Sequence, residues 1–232
     1  MKKFFATRIN DEYIFEGDEL AHFNVLRCRV GEQIICLGDD GYDYLCEITQ
    51  VSKKQAVAKI ISKELNIKNP KVNITIFQGL VKGEKVDLIV QKLTELGVTN
   101  LVLFESEFSV AKINDNKINR LNKISQEACK QCGRSIPLNI EPTLKYKDMV
   151  DKLKSYDMVL FANEKNKIRN YDKIIKSQNI AIIVGGEGGF SDKEIEQIYN
   201  EGAVNFGLGE RILRAETACI ACACIVGFIV NV

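Results

Sequence analysis

The residues from Val184 to Glu194, VGGEGGFSDKE, set four glycines around one glutamate, with an apolar run before them and an acidic helix start after. Three chemistries could use such a loop: a phosphate cradle, a plain strand-to-helix turn, or a pocket for a ligand without phosphate. The phosphate reading fails on spacing and on charge. No Lys-Ser/Thr pair follows the glycines, as a P-loop needs, and G-x-G-x-x-G is absent. Asp192 and Glu194 complement the positive end of the next helix and so oppose a bound anion. Ser191 and Glu194 stand at capping-box spacing, which engages the first free helix N–H groups internally. Glycines in a tight turn supply φ > 0, but two Gly-Gly pairs exceed what a turn needs. Glycine also lets a ligand reach bare backbone, whose N–H and C=O groups can read a flat heterocycle. A neutral or zwitterionic ligand bearing an adenine suits this loop better than a nucleotide phosphate.

A second loop, GLGERILRAETA (207–218), follows the next strand and precedes the next helix. It places Arg211, Arg214 and Glu216 among apolar residues. Solvated charges at a helix start would give the same pattern, yet two such loops on neighbouring strand ends favour one shared site. The pairs CKQC (129–132) and CIAC (219–222) have the spacing of a zinc site built from paired C-x-x-C motifs. Both fall in helical patterns, the second on an alanine-rich apolar face, so small buried thiols account for them and no metal is expected. His22 is the only histidine. It cannot serve a scheme that needs two, and it reads as a satisfied or exposed residue of the N-terminal region.

These loops must be held by a larger frame. The chain has 232 residues, 46% hydrophobic and 27% charged, enough for one large domain or two small ones. Residues 1–68 read mainly as strands, EYIFEG, EQIICLG, DYLCEITQV and QAVAKIIS, with one helix at DELAHFNVLRC. That pattern suggests a small barrel-like β domain. KELNIKNPK (63–71) is the linker. From residue 72 strands and helices alternate: VNITIFQGL, then a helix with Val86, Ile89, Val90 and Leu93 at three- and four-residue steps and Gly97 as its stop. LVLFES, a helix to Arg134, YDMVLFANE, a helix at YDKIIKS, NIAIIVGG, SDKEIEQIYNEG, AVNFGLG and a last apolar helix complete the series. Alternation of this kind implies an α/β fold with a largely parallel sheet, whose sites form at the carboxyl ends of the strands.

The net charge of +1 gives no vote for nucleic acid. The start MKKFFATRINDEY lacks a signal-peptide core, so the eight cysteines are expected reduced and the protein cytoplasmic. The run TACIACACIVGFIV is shorter than the roughly 20 residues that span a bilayer, and reads as a closely packed buried helix.

Four stretches, QKLTELGV (91–98), QEACKQCGR (126–134), VGGEGGFSDKEI (184–195) and LGERILRAETA (208–218), resemble in order and spacing those of the RsmE family. These are the 16S ribosomal RNA uracil(1498)-N3-methyltransferases of the SPOUT superfamily. HFNVLRCRVGEQI (22–34) is similar to that family's N-terminal domain, and the resemblance covers nearly the whole chain. It implies a PUA-like β-barrel over residues 1–68 that helps to hold RNA. It also implies a SPOUT α/β methyltransferase domain over residues 72–232 with a deep trefoil knot. The cofactor would be S-adenosyl-L-methionine, the partner 16S rRNA in the small ribosomal subunit, and the active unit a homodimer with each site near the other subunit.

Carried over by position, the cofactor pocket would include the FANE stretch from Phe161 to Glu164, Val184, then Gly185, Gly186, Glu187, Gly188, Gly189 and Phe190. Leu208, Gly209, Arg211, Ile212, Leu213 and Thr217 would complete it. Arg134 matches an arginine that such enzymes place near the reacting groups, from the other protomer. The family usually has proline where this chain has Gly186. Losing it leaves the unfolded loop freer, at a cost of roughly 0.4–1 kcal/mol if the turn is otherwise unchanged.

An arginine aimed at the uracil oxygens would stabilise charge developing as N3 loses its proton. Arg134 is the first candidate and Arg214 the second. Glu187 could accept the proton or could cap loop N–H groups. Lys2, Lys3, Arg8, Arg27 and Arg29 are candidate RNA contacts, or ordinary surface charge. A SPOUT methyltransferase for another RNA position is the main rival, and a non-catalytic ribosome-assembly factor is the other class; intact glycine loops argue against the latter.

Overall fold

The computed structural model describes residues 1–112, 115–163 and 174–231. The chain forms two compact units, one of residues 1–69 with 129–137, the other of residues 70–128 with 138–232.

The first unit is an open six-stranded sheet in the order β1-β4-β5-β6-β3-β2. Its strands are β1 (Lys3–Phe4), β2 (Thr7–Ile9), β3 (Glu12–Phe15), β4 (Gln33–Leu37), β5 (Tyr42–Val51) and β6 (Ala56–Leu65), with helix α1 (Gly17–Val25) between β3 and β4. All pairings are antiparallel except β1 with β4. The strands bend around one core of Phe4, Tyr13, Phe15, Phe23, Ile34, Tyr44 and Ile48. Phe4 meets Phe15 edge-to-face at 5.4 Å, the arrangement ring quadrupoles favour. β1 and β2 are too short to announce themselves by alternation; pairing with longer neighbours makes them strands. Residues 129–137 are stitched into this unit by two asparagines. Asn66 donates to the Gly133 carbonyl at 2.9 Å, and Asn69 donates to Ser135 Oγ at 2.8 Å while accepting from Ser135 N.

The second unit is a parallel six-stranded sheet in the order β12-β10-β11-β7-β8-β9. The strands are β7 (Asn73–Gly79), β8 (Asn100–Glu105), β9 (Asn139–Lys145), β10 (Met158–Ala162), β11 (Asn179–Val184) and β12 (Val204–Asn205). The helices are α2 (Lys85–Glu95), α3 (Asp115–Cys132), α4 (Tyr146–Lys152), α5 (Asp192–Asn200) and α6 (Ala215–Asn231). Continuous apolar runs suit strands covered on both faces. In β11, Ile180, Ile182 and Val184 pack with Val86, Val90 and Leu93 of α2 and Cys222 and Val226 of α6. Ala181 and Ile183 pack on the other face with Met149 and Ile198.

β9 and α4 lie where the sequence shows no clean period. β9 carries Pro142, which cannot donate to a ladder, and the strand tolerates it because it is the sheet edge. The β8–β9 register shifts beside that proline. Of the helix expected at 171–177, Tyr171–Lys173 lie outside the described residues, and Ile174–Lys176 form a single 3-10 turn.

The helix ends follow their local chemistry. Gly97 sits at φ +80° beyond α2, with Val98 N bonded to Leu93 O at 3.0 Å, a Schellman closure. Ser191 and Glu194 form the capping box of α5: Ser191 N donates to Glu194 Oε2 at 2.9 Å, and Glu194 N to Ser191 Oγ. Glu194 Oε1 also accepts from Glu107 N at 2.9 Å, which ties the loop after β8 to the start of α5.

The two ends of the sheet differ. At the amino ends an amide ladder runs across four strands, from Asn139 to Asn100 at 3.0 Å, Asn100 to Asn73 at 2.9 Å and Asn73 to Asn179 at 2.7 Å. At the carboxyl ends of β7 and β11 backbone meets backbone. A Cβ on Gly79 would fall 2.3 Å from Gly186 N, and one on Gly186 would fall 2.5 Å from Leu80 O. The proviso attached to Gly186 therefore fails: a proline ring begins with that Cβ, so the turn could not stay unchanged. We expect Gly79→Ala to destabilise the protein by about 1–3 kcal/mol, because backbone must move to admit the methyl. Urea unfolding would read the loss as a lower midpoint; an unchanged midpoint would show that the approach has slack.

Candidate functional site

The second unit has a cleft of about 460 Å³ where β10, β11 and β12 end, a size typical of small-molecule sites. One wall is the loop Val184–Phe190. Its turn closes through Gly189 N on Gly186 O at 3.1 Å, with Gly189 at φ +64°. Phe190 anchors the loop from behind: it lies edge-on to Phe161 at 5.2 Å and stacks on Phe104 at 5.9 Å. Gln78, fully buried, donates to both Gly79 O and Gly185 O, at 2.9 and 3.0 Å. With its outside held, the loop turns bare peptide toward the cleft. The opposite wall is the segment from Leu208 to Glu216, running into α6.

Charge of both signs lines the cleft. Lys85, at the start of α2, hydrogen-bonds Glu187, and its Nζ stands 3.9 Å from Glu216 Oε2. The Lys85 hydrogen bond holds the Glu187 carboxyl below the usual carboxylate range. Arg211 and Arg214 come from the second loop, both with exposed side chains. Apolar Phe161, Phe206, Leu208 and Leu213, bare glycine backbone and paired charges together fit a flat heterocycle attached to a zwitterion.

Most residues picked from the sequence meet here. Phe161, Val184, Gly185, Gly186, Glu187, Gly188, Gly189, Phe190, Leu208, Gly209, Arg211, Ile212, Leu213 and Arg214 all line the cleft. Glu164 lies outside the described residues. Thr217 is exposed on α6 and does not line the cleft. Arg134 does not line it either; its side chain is 2% exposed, and burial pushes the guanidinium below its ordinary value. Glu187 gives its carboxylate first to Lys85, and the Lys82 backbone N–H also helps to hold it in the charged form.

The sequence reading missed Lys85, Ile195, Phe206, Ala215 and Ala218, and gave Glu216 no pocket role of its own, whereas Ala162 and Asn163 of the FANE stretch line the cleft as expected. Lys85 reads as one charge on a solvated helix start. Only the pairing of β7 beside β11, from Asn73↔Asn179 to Gln78↔Val184, brings it to the glycine loop.

The basic residues of the first unit divide. Lys2 is paired with Glu32 at 3.0 Å. Arg8 lies over the Tyr44 ring at 4.5 Å, donates to Tyr44 Oη at 2.7 Å and is 3.8 Å from Asp40. Lys3 Nζ lies beside Gly133. Arg27 and Arg29 are exposed. Arg27 occupies the position after α1 where glycine is usual, at φ +52°, with Cys28 N on Phe23 O at 3.3 Å. His22 packs on Phe4 at 5.5 Å. Burial disfavours the thiolate at three of the four paired cysteines: it pushes Cys129 and Cys222 up to about 12, and Cys219 well above its usual value. Among the described residues no cluster of three potential metal ligands occurs, and no helix is long and apolar enough to cross a membrane.

The sequence matches two family models, an RNA methyltransferase domain over residues 68–227 and an RNA methyltransferase PUA domain over residues 15–61. It is 32% identical over 215 residues to ribosomal RNA small subunit methyltransferase E of Bacillus subtilis, covering 87% of this chain and 84% of that one. The Mesomycoplasma hyopneumoniae protein of the same name is 30% identical, covering 95% and 96%. Among solved structures, ribosomal RNA small subunit methyltransferase E of Neisseria gonorrhoeae, bound to S-adenosyl methionine, superposes with a TM-score of 0.89 at 28% identity over 99% of this chain and 98% of that one. A putative methyltransferase of Legionella pneumophila, also holding that cofactor, gives 0.87 at 27% identity over 97% and 95%. With an RNA methyltransferase domain across more than half its length behind a PUA domain, the chain belongs to the ribosomal RNA small subunit methyltransferase E family, on the SPOUT fold.

Proposed function

We propose that this protein transfers the methyl group of S-adenosylmethionine to N3 of a specific uridine in 16S rRNA. In this reading it works in the cytoplasm as a homodimer on the assembled small subunit, and its SPOUT domain carries a deep trefoil knot. The observation that carries the reading is the cleft itself: two loops from the ends of β11 and β12, the strands on either side of β10, one of bare glycine backbone and one of arginines, closing on a space of about 460 Å³. Relatives of similar length and fold hold S-adenosylmethionine.

When bound, that cofactor supplies a methyl already activated by a sulfonium. The chain's own task is then alignment and charge stabilisation, and alignment alone can lower a barrier by several kcal/mol. The glycine loop and the Leu208–Leu213 segment position the adenosine. Arg214, which lines the cleft and is exposed, is the residue we assign to meet the uracil oxygens as N3 loses its proton. Glu187, neutralised by Lys85, is a weakened base and serves to hold the loop. Arg134, buried in the 129–137 segment, acts as a positioning residue. The target base must leave its stack or come from a single strand.

The net charge of +1 supports a structured particle over naked RNA as substrate, because affinity built on few phosphate contacts is weak and shallow in salt. Exposed Arg27 and Arg29 are the candidate phosphate contacts, with Lys3 in the same role; Lys2 and Arg8 are engaged by internal partners.

The test is methyl transfer from labelled cofactor to small subunits that lack this methylation, mapped by reverse transcription. One new stop at a single uridine supports the reading. Incorporation at another position keeps the methyltransferase and discards the target, and cofactor binding with no incorporation favours an assembly factor. Arg214→Ala should lower turnover about 10²–10³-fold with cofactor affinity nearly unchanged, the size of losing one oxyanion donor. Arg134→Ala should instead lower the melting temperature, and a fully stable but inactive Arg134→Ala would return the charge-stabilising role to that residue. Arg27→Gly should raise stability by about 1 kcal/mol, since glycine suits φ +52°. It should also reduce transfer to subunits several-fold at low salt; a variant that gains stability and loses no transfer would remove Arg27 from the RNA face.

A further inference from the structure

The cleft contains a carboxylate oxygen that the chain leaves unsatisfied. The Glu216 side chain is 13% exposed, and its Oε2 is buried with no hydrogen-bond partner among the described residues. Lys85 Nζ is 3.9 Å away, beyond hydrogen-bond reach, and already donates to Glu187. Two carboxylates thus share one ammonium, and the more buried of the two has an oxygen without a donor. The Lys85 charge offsets part of the cost of burying this carboxylate, but an oxygen with no donor keeps the rest. Arg211 and Arg214 line the same cleft, yet neither donates to Glu216 Oε2. A cation arriving from outside would complete Glu216, and it would arrive beside a fixed cation that itself favours an anion.

An α-amino acid carries that pair of charges on one carbon. We propose that Glu216 and Lys85 receive the zwitterionic amino-acid end of the cofactor. Glu216 Oε2 accepts from the α-ammonium, and Lys85 donates to the α-carboxylate. The 3.9 Å between Glu216 Oε2 and Lys85 Nζ places acceptor and donor side by side, as the adjacent ammonium and carboxylate of such a tail require. The inference rests on the reading of the cleft as the S-adenosylmethionine site, and it assigns the charged half of that ligand to two residues. Lys85 comes from the start of α2 and Glu216 from the start of α6, helices that pack together on one face of the sheet. The subsite thus exists only in the folded unit.

Three ligands separate the possibilities by calorimetric titration of the full-length protein. S-adenosylmethionine has the tail and the sulfonium charge, S-adenosylhomocysteine has the tail alone, and 5′-methylthioadenosine has neither. Glu216→Gln should weaken the first two by a similar factor, roughly ten- to a hundredfold, and leave the third unchanged. Lys85→Met should show the same pattern. Loss confined to S-adenosylmethionine would overturn the proposal in favour of sulfonium recognition. Equal loss for all three would assign Glu216 a structural role. Unchanged binding with lost turnover would make it a participant in proton removal and not in tail recognition. If Glu216→Gln does not fold, Glu216→Asp, which keeps the charge and shortens the reach, must give the same selective pattern in smaller measure or the proposal falls. A wild-type protein that binds none of the three would fail the cofactor reading itself, a result distinct from any failure of Glu216.

Discussion

The carboxyl ends of β7 and β11 touch through peptide groups alone, where Gly79 lies against Gly186. The cleft depends on that approach. It sets the glycine loop low over the sheet, where Gln78 can bond carbonyls on both sides of the seam and Phe190 can reach Phe161 and Phe104. It also sets Lys85, just beyond the end of β7, against Glu187 and near Glu216. A side chain at either glycine would push the strands' ends apart and with them both walls of the site.

The sheet concentrates function at one end by making its ends chemically unlike. At the amino ends, Asn73, Asn100, Asn139 and Asn179 bond each other and satisfy the terminal amides without outside help. At the carboxyl ends bare glycine backbone lines the cleft, and one buried carboxylate oxygen, Glu216 Oε2, has no donor among the described residues. Unmet polar groups are costly to the free protein, and a ligand that meets them recovers that cost as affinity. In the first unit the same tension shows at Arg27, which holds a left-handed backbone better suited to glycine and turns its charge to solvent.

Much of this was legible in the residues because its causes are local. Ser191 and Glu194 cap their own helix, Gly97 ends its own, and the apolar runs of β7, β8, β10 and β11 need only be covered on both sides to become a parallel sheet. The two loops that line the cleft were legible for the same reason, since a glycine loop after a buried strand can only leave from its carboxyl end. β9 was not legible, because Pro142 spoils its pattern and only an edge position excuses it. Arg134 shows the same dependence on distant residues. Its motif suggested chemistry, but burial within the 129–137 segment depends on Asn66 and Asn69, more than sixty residues earlier.

The family resemblance, the alternation of strands and helices and the glycine loops are written in neighbouring residues and need no fold to be read. Which charges share the cleft depends on the folded unit. Lys85, Glu187 and Glu216 lie on three different loops or helix starts, and their meeting is fixed by strand order, β11 beside β7, and by the packing of α6 on α2. Strand order is a matter of long-range pairing. No local propensity encodes it, and so neither the neutralised Glu187 nor the unsatisfied Glu216 could be read before the chain was seen folded.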